Sequence, residues 1–134
     1  MAEGSGSKPA IKWRDRCLAH PNLMFGQAFR KARARASKRG IPFSITKDYI
    51  INLFKEQGGK CYYSGLDINI IKSNEKDLMD PMKMTIDIIN HKAGYVPGNV
   101  VWCAYCINSL KQRMNVESMV SICNSVVKNS SNIL

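Results

Sequence analysis

No apolar run in the chain approaches the roughly 20 residues that a membrane-spanning helix needs. The longest, Tyr49 to Phe54 and Val96 to Cys106, are short and interrupted by polar residues, so no membrane partner is expected. The amino terminus, Met1 to Ser7, has neither a basic region nor an apolar region. It is not a signal peptide, and the expectation is an intracellular protein, in the cytoplasm or nucleus of a host cell, not a secreted one. The five cysteines are an odd number, which without a secretion signal points to reduced thiols. Aromatic residues are only 8% of the chain. Tyr62, Tyr63, Tyr95 and Trp102 fall on expected strands or their loop and suit packing better than base stacking. Trp13, beside Lys12, Arg14 and Arg16, is better placed to touch nucleic acid. No internal repeat is visible.

Acidic residues are also scarce: 10 against 20 Lys and Arg, a formal charge of +10. The imbalance is local. Residues 1–60 hold 13 Lys and Arg against 4 Asp and Glu, whereas residues 61–134 hold 7 against 6. Lys and Arg placed at phosphates release counterions, so a bias of this size suggests a polyanionic partner. A merely soluble basic face, or affinity for an anionic membrane, is the alternative. The charge lies on a helical pattern and not in a tail, which favours DNA, with RNA left open.

A chain of 134 residues, 45% of them apolar, suits one domain with one core. Residues 1–10 read as a disordered tail, 11–57 as a basic helical arm packed on the core, and 58–128 as the core with a C-terminal helix. From Leu23 to Arg39 the stripe Phe25, Phe29, Ala32, Ala36 predicts a helix. Arg30, Lys31, Arg33, Arg35, Lys38 and Arg39 fill most of its remainder, and Gly40 and Pro42 end it. A second helix is expected after Thr46 as N-cap, buried through Ile50, Leu53 and Phe54. Lys60 to Gly65 suggests a short strand and turn, and residues 66–82 a polar loop. Strands are expected at Met84–Ile89 and Asn99–Trp102, joined by a loop with two glycines. A helix is expected from Cys103 to about Arg113. A last helix capped by Asn115 should face the core with Met119, Ile122, Cys123 and Val126. The class is α+β, with a small hairpin.

The segment Met84 to Arg113 carries the chemistry. Strand, loop, strand and helix follow one another there within thirty residues, so a residue of the first strand can lie beside one of the helix. Asp87 and Asn108 are the natural pair. A carboxylate and an amide oxygen suit a hard Mg²⁺ (or Mn²⁺) that keeps most of its waters, and such a metal can polarise a phosphate. Read without any family pattern, Asp87 and Asn99 are turn and cap residues, and Asn108 and Lys111 the exposed face of an ordinary helix.

The ordered motifs Arg39-Gly40-Ile41-Pro42-Phe43, Gly58-Gly59-Lys60-Cys61, Ser64-Gly65, Thr85-Ile86-Asp87, Gly94-Tyr95, Gly98-Asn99-Val100 and Asn108-Ser109-Leu110-Lys111 resemble the phage and viral branch of the HNH endonucleases. That resemblance spans about residues 28–120. It implies a ββα-metal (HNH-type) core with a basic helical N-terminal extension and a C-terminal helix. It also implies metal-dependent hydrolysis of DNA phosphodiester bonds, by nicking or cutting. Asp87 and Asn108 would hold the metal, Asn99 would tie down the loop between the strands, and Lys111 would lie near phosphate. The basic helix, Arg30 to Arg39, would grip the backbone.

Two positions depart from the family pattern. Where the family has His or Arg after the aspartate, this chain has Ile88, which can neither take a proton nor touch a phosphate. The acid often found three residues after the aspartate is Asn90. His91, in the following loop, is the substitute candidate for general base. Zinc is a lesser expectation. Cys103-Ala104-Tyr105-Cys106 has ligand spacing and Cys61 is half of a second pair, with Cys17 or His20 as a fourth ligand, but the branch resembled commonly has no zinc. The alternative function is a non-catalytic DNA-binding or viral structural protein that keeps the fold without the base. Oligomeric state is open, a dimer included.

Overall fold

The computed structural model describes residues 19–70 and 80–134. The expected tail, Trp13, Cys17 and residues 71–79 of the polar loop fall outside them. The described elements are α1 (Asn22–Arg39), α2 (Lys47–Glu56), β1 (Met84–Ile88), β2 (Val100–Ala104), α3 (Tyr105–Lys111), α4 (Val116–Asn129) and a 3₁₀ turn, Ser130–Asn132. They form an α+β arrangement of four helices and one two-stranded antiparallel sheet.

Helix α1 buries Met24, Phe25, Ala32 and Ala36 along one stripe. It ends where Gly40 turns left-handed, at φ 65°. The Gly40 amide then donates to Ser37 O and the Ile41 amide to Ala36 O, the paired bonds that satisfy orphan carbonyls at a helix end. Helix α2 starts at Thr46, whose Oγ1 accepts from the Tyr49 amide at 3.0 Å, with Asp48 in the first turn favouring the helix dipole.

The strand expected near Lys60 is instead a turn. The Cys61 amide donates to Leu66 O at 2.7 Å and the Gly65 amide to Cys61 O at 2.9 Å. A third strand would need the free edge of β2, and that edge is already taken. Gln57 donates its side-chain amide to Trp102 O at 2.9 Å and accepts from the Trp102 amide at 2.9 Å, and the Tyr62 amide also reaches Trp102 O.

The hairpin register runs from Met84 opposite Ala104 to Ile88 opposite Val100. Strand β2 extends to Ala104, two residues beyond expectation, because pairing continues through the Tyr105 amide to Lys83 O at 2.8 Å. All five β2 residues are buried. Trp102 is the centre of the core. Its ring meets Phe25 and Phe54 edge-on at 5.7 and 5.6 Å, and its indole N–H is satisfied by Ile50 O at 2.8 Å. One apolar cluster joins α1, α2 and both strands, so the basic arm and the hairpin share a core.

Helix α4 departs from the sequence reading. Asn115 caps it through the Ser118 amide, at 2.8 Å, but of the four residues expected to face the core only Met119 is buried. Ile122 is 42% exposed and Val126 56%, and Cys123 is half-buried. Among the described elements the helix contacts only α3 and the trailing turn, so beyond its start no described layer covers it.

Candidate functional site

A cleft of ≈ 520 Å³ runs along β1. Helix α1 forms one wall, with Lys31, Arg35 and Arg39. Helix α3 and the turn after it form the other, with Asn108, Gln112 and Arg113. Asp87 lies on the strand between them, and His91 stands in the loop beyond it. Successive side chains of a strand alternate faces. Met84, Ile86 and Ile88 join the apolar cluster, while Thr85 and Asp87 meet partners on α3.

Asp87 is only 5% exposed. Its Oδ2 accepts from the Tyr63 hydroxyl at 2.7 Å and lies 3.1 Å from Lys111 Nζ. Lys111, expected beside a phosphate, is instead fully buried. Its ammonium also donates to Ile88 O at 3.3 Å and sits 5.7 Å from the centre of the Tyr63 ring. A buried ammonium needs such partners, because desolvation costs several kcal/mol per ion. Burial, and then the bond to the Asp87 carboxylate, push the Tyr63 hydroxyl well above its ordinary range. Tyr63 is therefore a fixed donor at neutral pH. Both contacts use Oδ2; Oδ1 has no hydrogen-bond partner among the described residues.

Asn108 points its amide nitrogen at β1, donating to Thr85 Oγ1 at 3.1 Å and reaching Ile86 O at 3.5 Å. The Thr85 hydroxyl passes its own hydrogen to Cys103 O at 2.9 Å. The amide oxygen of Asn108 has no hydrogen-bond partner among the described residues. His91 Nε2 lies 3.1 Å from Gln112 O. A carbonyl can only accept, so Nε2 carries the hydrogen and Nδ1 is the free acceptor of the neutral ring. Gln112 adopts φ 48°, the only non-glycine positive φ among the described residues.

The loop from β1 to β2 is laced by Asn99. Its amide nitrogen donates to Asn90 O and Gly94 O, at 2.8 and 2.7 Å, and its oxygen accepts from the Asn90 amide at 3.0 Å. Asn90 in turn accepts from the Lys92 amide at 2.9 Å, which makes it a turn former. Gly94, at φ 78°, lies so close to the segment after α1 that a Cβ there would stand 2.6 Å from Pro42 O. That approach lets the Tyr95 amide donate to Pro42 O, and the Ser44 amide to Tyr95 O, both at 2.9 Å. Buried Tyr95 then accepts from Arg35 Nε at 3.2 Å. The motif glycine thus positions an arginine of the basic helix.

The cationic residues of α1 divide into two sets. Lys31, Arg35 and Arg39 line the cleft, and Arg30, Arg33 and Lys38 do not. Arg33 lies over the Phe29 ring at 5.4 Å. Ile88, at the position where the family resembled has its base or arginine, is 1% exposed and part of the core.

The cysteines differ among themselves. Burial opposes ionisation of Cys61, but hydrogen bonds from the Ser64 hydroxyl and the amides of Ala104, Ser64 and Tyr63 outweigh it and hold the thiol below its ordinary value. Burial pushes Cys103 up to about 12, opposed by the contact of its sulfur with the Thr85 hydroxyl at 3.5 Å. Cys106 is half-buried on α3. Among the described residues no three His, Cys, Asp or Glu side chains converge on a metal position, and His20 is exposed just before α1.

Sequence reasoning missed Tyr63, Gln112 and Arg113. A buried tyrosine hydroxyl needs a partner, which is a general signal, but no spacing links residue 63 to residue 87. No family model, no curated protein and no solved structure matches this chain.

Proposed function

We propose that the protein is a metal-dependent phosphodiesterase of the ββα-metal type that hydrolyses DNA at the cleft beside β1. The observation that carries this reading is the meeting of Asp87, Asn108 and His91 in one cleft walled by Lys31, Arg35, Arg39 and Arg113. Strand, loop, strand and helix follow one another from Met84 to Lys111 with no other element between them, which supports the resemblance described above.

The donor set fits a divalent cation. Asp87 Oδ1 and the Asn108 amide oxygen, neither with a hydrogen-bond partner among the described residues, are hard oxygen donors, the kind Mg²⁺ or Mn²⁺ takes while keeping several waters. When bound, the metal would supply Lewis-acid stabilisation of charge at the phosphate. Tyr63 and Lys111 hold the Asp87 carboxylate by Oδ2, so its orientation is set before any ligand arrives. His91 Nδ1 takes the proton of the water whose oxygen bonds to phosphorus as the P–O3′ bond breaks, and the leaving 3′-oxygen takes a proton from solvent. The Gln112 carbonyl keeps the imidazole in the tautomer that leaves Nδ1 free. Arg35, steered by Tyr95, and Lys31 hold the phosphate by charge-assisted hydrogen bonds.

General-base assistance is worth roughly 10²–10⁴-fold. His91→Ala is expected to lose a factor of that order in cleavage rate while binding DNA as the wild type does. A wild-type rate in that variant would remove His91 from the mechanism. The second reading is a DNA-binding protein without catalysis. It is favoured by Ile88, whose side chain lies in the core, and by Lys111, which already neutralises Asp87.

A further inference from the structure

We infer that the cleft takes a single, unpaired nucleic-acid strand, and that the inner row Lys31, Arg35 and Arg39, not the basic helix as a whole, carries its phosphates. This inference rests on the reading of the cleft as a phosphodiesterase site and names the form of its substrate.

Charge is the first ground. Five cations, Lys31, Arg35, Arg39, Lys83 and Arg113, line the cleft, and among the described residues no carboxylate pairs with Lys31, Arg35, Arg39 or Arg113. The one carboxylate in the cleft, Asp87, is already matched by Lys111. The cleft is therefore left with a net positive charge facing inward, which a polyanion would neutralise.

Spacing is the second. The inner row recurs every four residues, about 6 Å of helix rise per step, on nearly one face. Consecutive phosphates of an extended strand are separated by a comparable distance, so one strand can meet the row in register. The outer set has no such opening: Arg30, Arg33 and Lys38 are exposed but stand outside the cleft.

Shape is the third. The space is ≈ 520 Å³, within the roughly 300–1,000 Å³ of a small-ligand pocket, and its carboxylate is 5% exposed. One nucleotide and its flanking phosphates fit such a space. A paired duplex would rest on the rims, with Asp87 out of reach.

Binding measured by fluorescence anisotropy in EDTA tests this without any cleavage. The probes are one single-stranded DNA oligonucleotide and the same sequence as a blunt duplex. The proteins are wild type, the inner-row triple Lys31→Gln/Arg35→Gln/Arg39→Gln, and the outer-row triple Arg30→Gln/Arg33→Gln/Lys38→Gln. Arg35 also bonds Tyr95, so the double variant Lys31→Gln/Arg39→Gln is run beside the triple, each with its melting curve. Wild type should prefer the single strand by about tenfold or more. Each phosphate contact on a single strand contributes about 0.7 to the slope of log affinity against log salt, so the inner triple should lower that slope by about 2 and the double by about 1.4, the outer triple by much less. Equal losses from both rows, or a duplex bound as tightly as the single strand, would overturn the inference and leave the phosphodiesterase reading standing. The predicted binding pattern with no cleavage under any metal would do the reverse.

Discussion

Lys111 is the side chain whose role changes most between sequence and structure. As one residue of an Asn-x-x-Lys motif it reads as a surface cation, since lysine is almost never fully buried unless paired. It becomes the partner of Asp87 because α3 begins directly after β2 and its last turn reaches back over β1. No pattern within the helix signals that. Removing one partner of a buried pair typically costs about 3–5 kcal/mol. Lys111→Met should therefore lower stability by that order in urea unfolding. Because the variant leaves the Asp87 charge uncompensated, Mg²⁺ should restore part of the loss, and it should do much less for the wild type. An unchanged unfolding midpoint would contradict the pair. Asp87, Asn108 and His91 could be nominated from sequence because strand, loop and helix spacing brings them to one end of the hairpin. Tyr63 and Gln112 could not, since their roles come from contacts across the fold.

Cys103 offers a test by pH. Its thiol is held up to about 12 from an ordinary 9.0, so the folded state favours the neutral form. That contribution is fully present below pH 9.0 and is lost as pH rises from 9.0 towards 12. Cys61, held low, works in the opposite sense: its contribution is present above pH 9.0 and is lost as pH falls through its folded value. Melting temperatures of wild type and Cys103→Ala measured across pH 8–11 (about the range where thiols titrate) should converge as the pH rises. Parallel curves would remove Cys103 from the balance.

Secondary-structure elements were largely legible where local chemistry decides them. Helix α1 was expected from Leu23 and begins at Asn22, and both Thr46 and Asn115 cap the helices they were expected to cap. Failures came where distant groups decide. Gln57 occupies the strand edge that the Lys60 segment would have used, and among the described elements no layer lies beneath most of the apolar stripe of α4. Loop geometry supplies the sharpest test of how the elements are joined. Gly94→Ala combines a left-handed backbone, worth about 1–2 kcal/mol for a residue with a Cβ, with a clash against Pro42 O at 2.6 Å. Gly98, at φ 86°, has nothing within 4 Å of a Cβ, so Gly98→Ala should show the backbone term alone. Thermal unfolding should rank Gly94→Ala clearly below Gly98→Ala. Equal melting temperatures would mean that the close approach to Pro42 does not hold.

For the molecule as a whole, the charge imbalance and the α+β class were readable from composition and pattern. The partition of that charge into a cleft row and an outer row was not, because it depends on which face of α1 is turned towards β1. Tyr95 and Gly94 set that face from sixty residues away along the chain. The account's central claim is that this cleft hydrolyses phosphodiester bonds with a divalent metal at Asp87 and Asn108. The most direct measurement is conversion of supercoiled plasmid to its nicked form by purified wild type and Asp87→Ala, with Mg²⁺ or Mn²⁺ and again with EDTA. Unpaired regions of the supercoiled plasmid supply the single strand. The account predicts nicking by the wild type with metal, none with EDTA, and none by Asp87→Ala. Undiminished nicking by Asp87→Ala, or a folded wild type that binds DNA but cuts neither plasmid nor single strand with either metal, would contradict it.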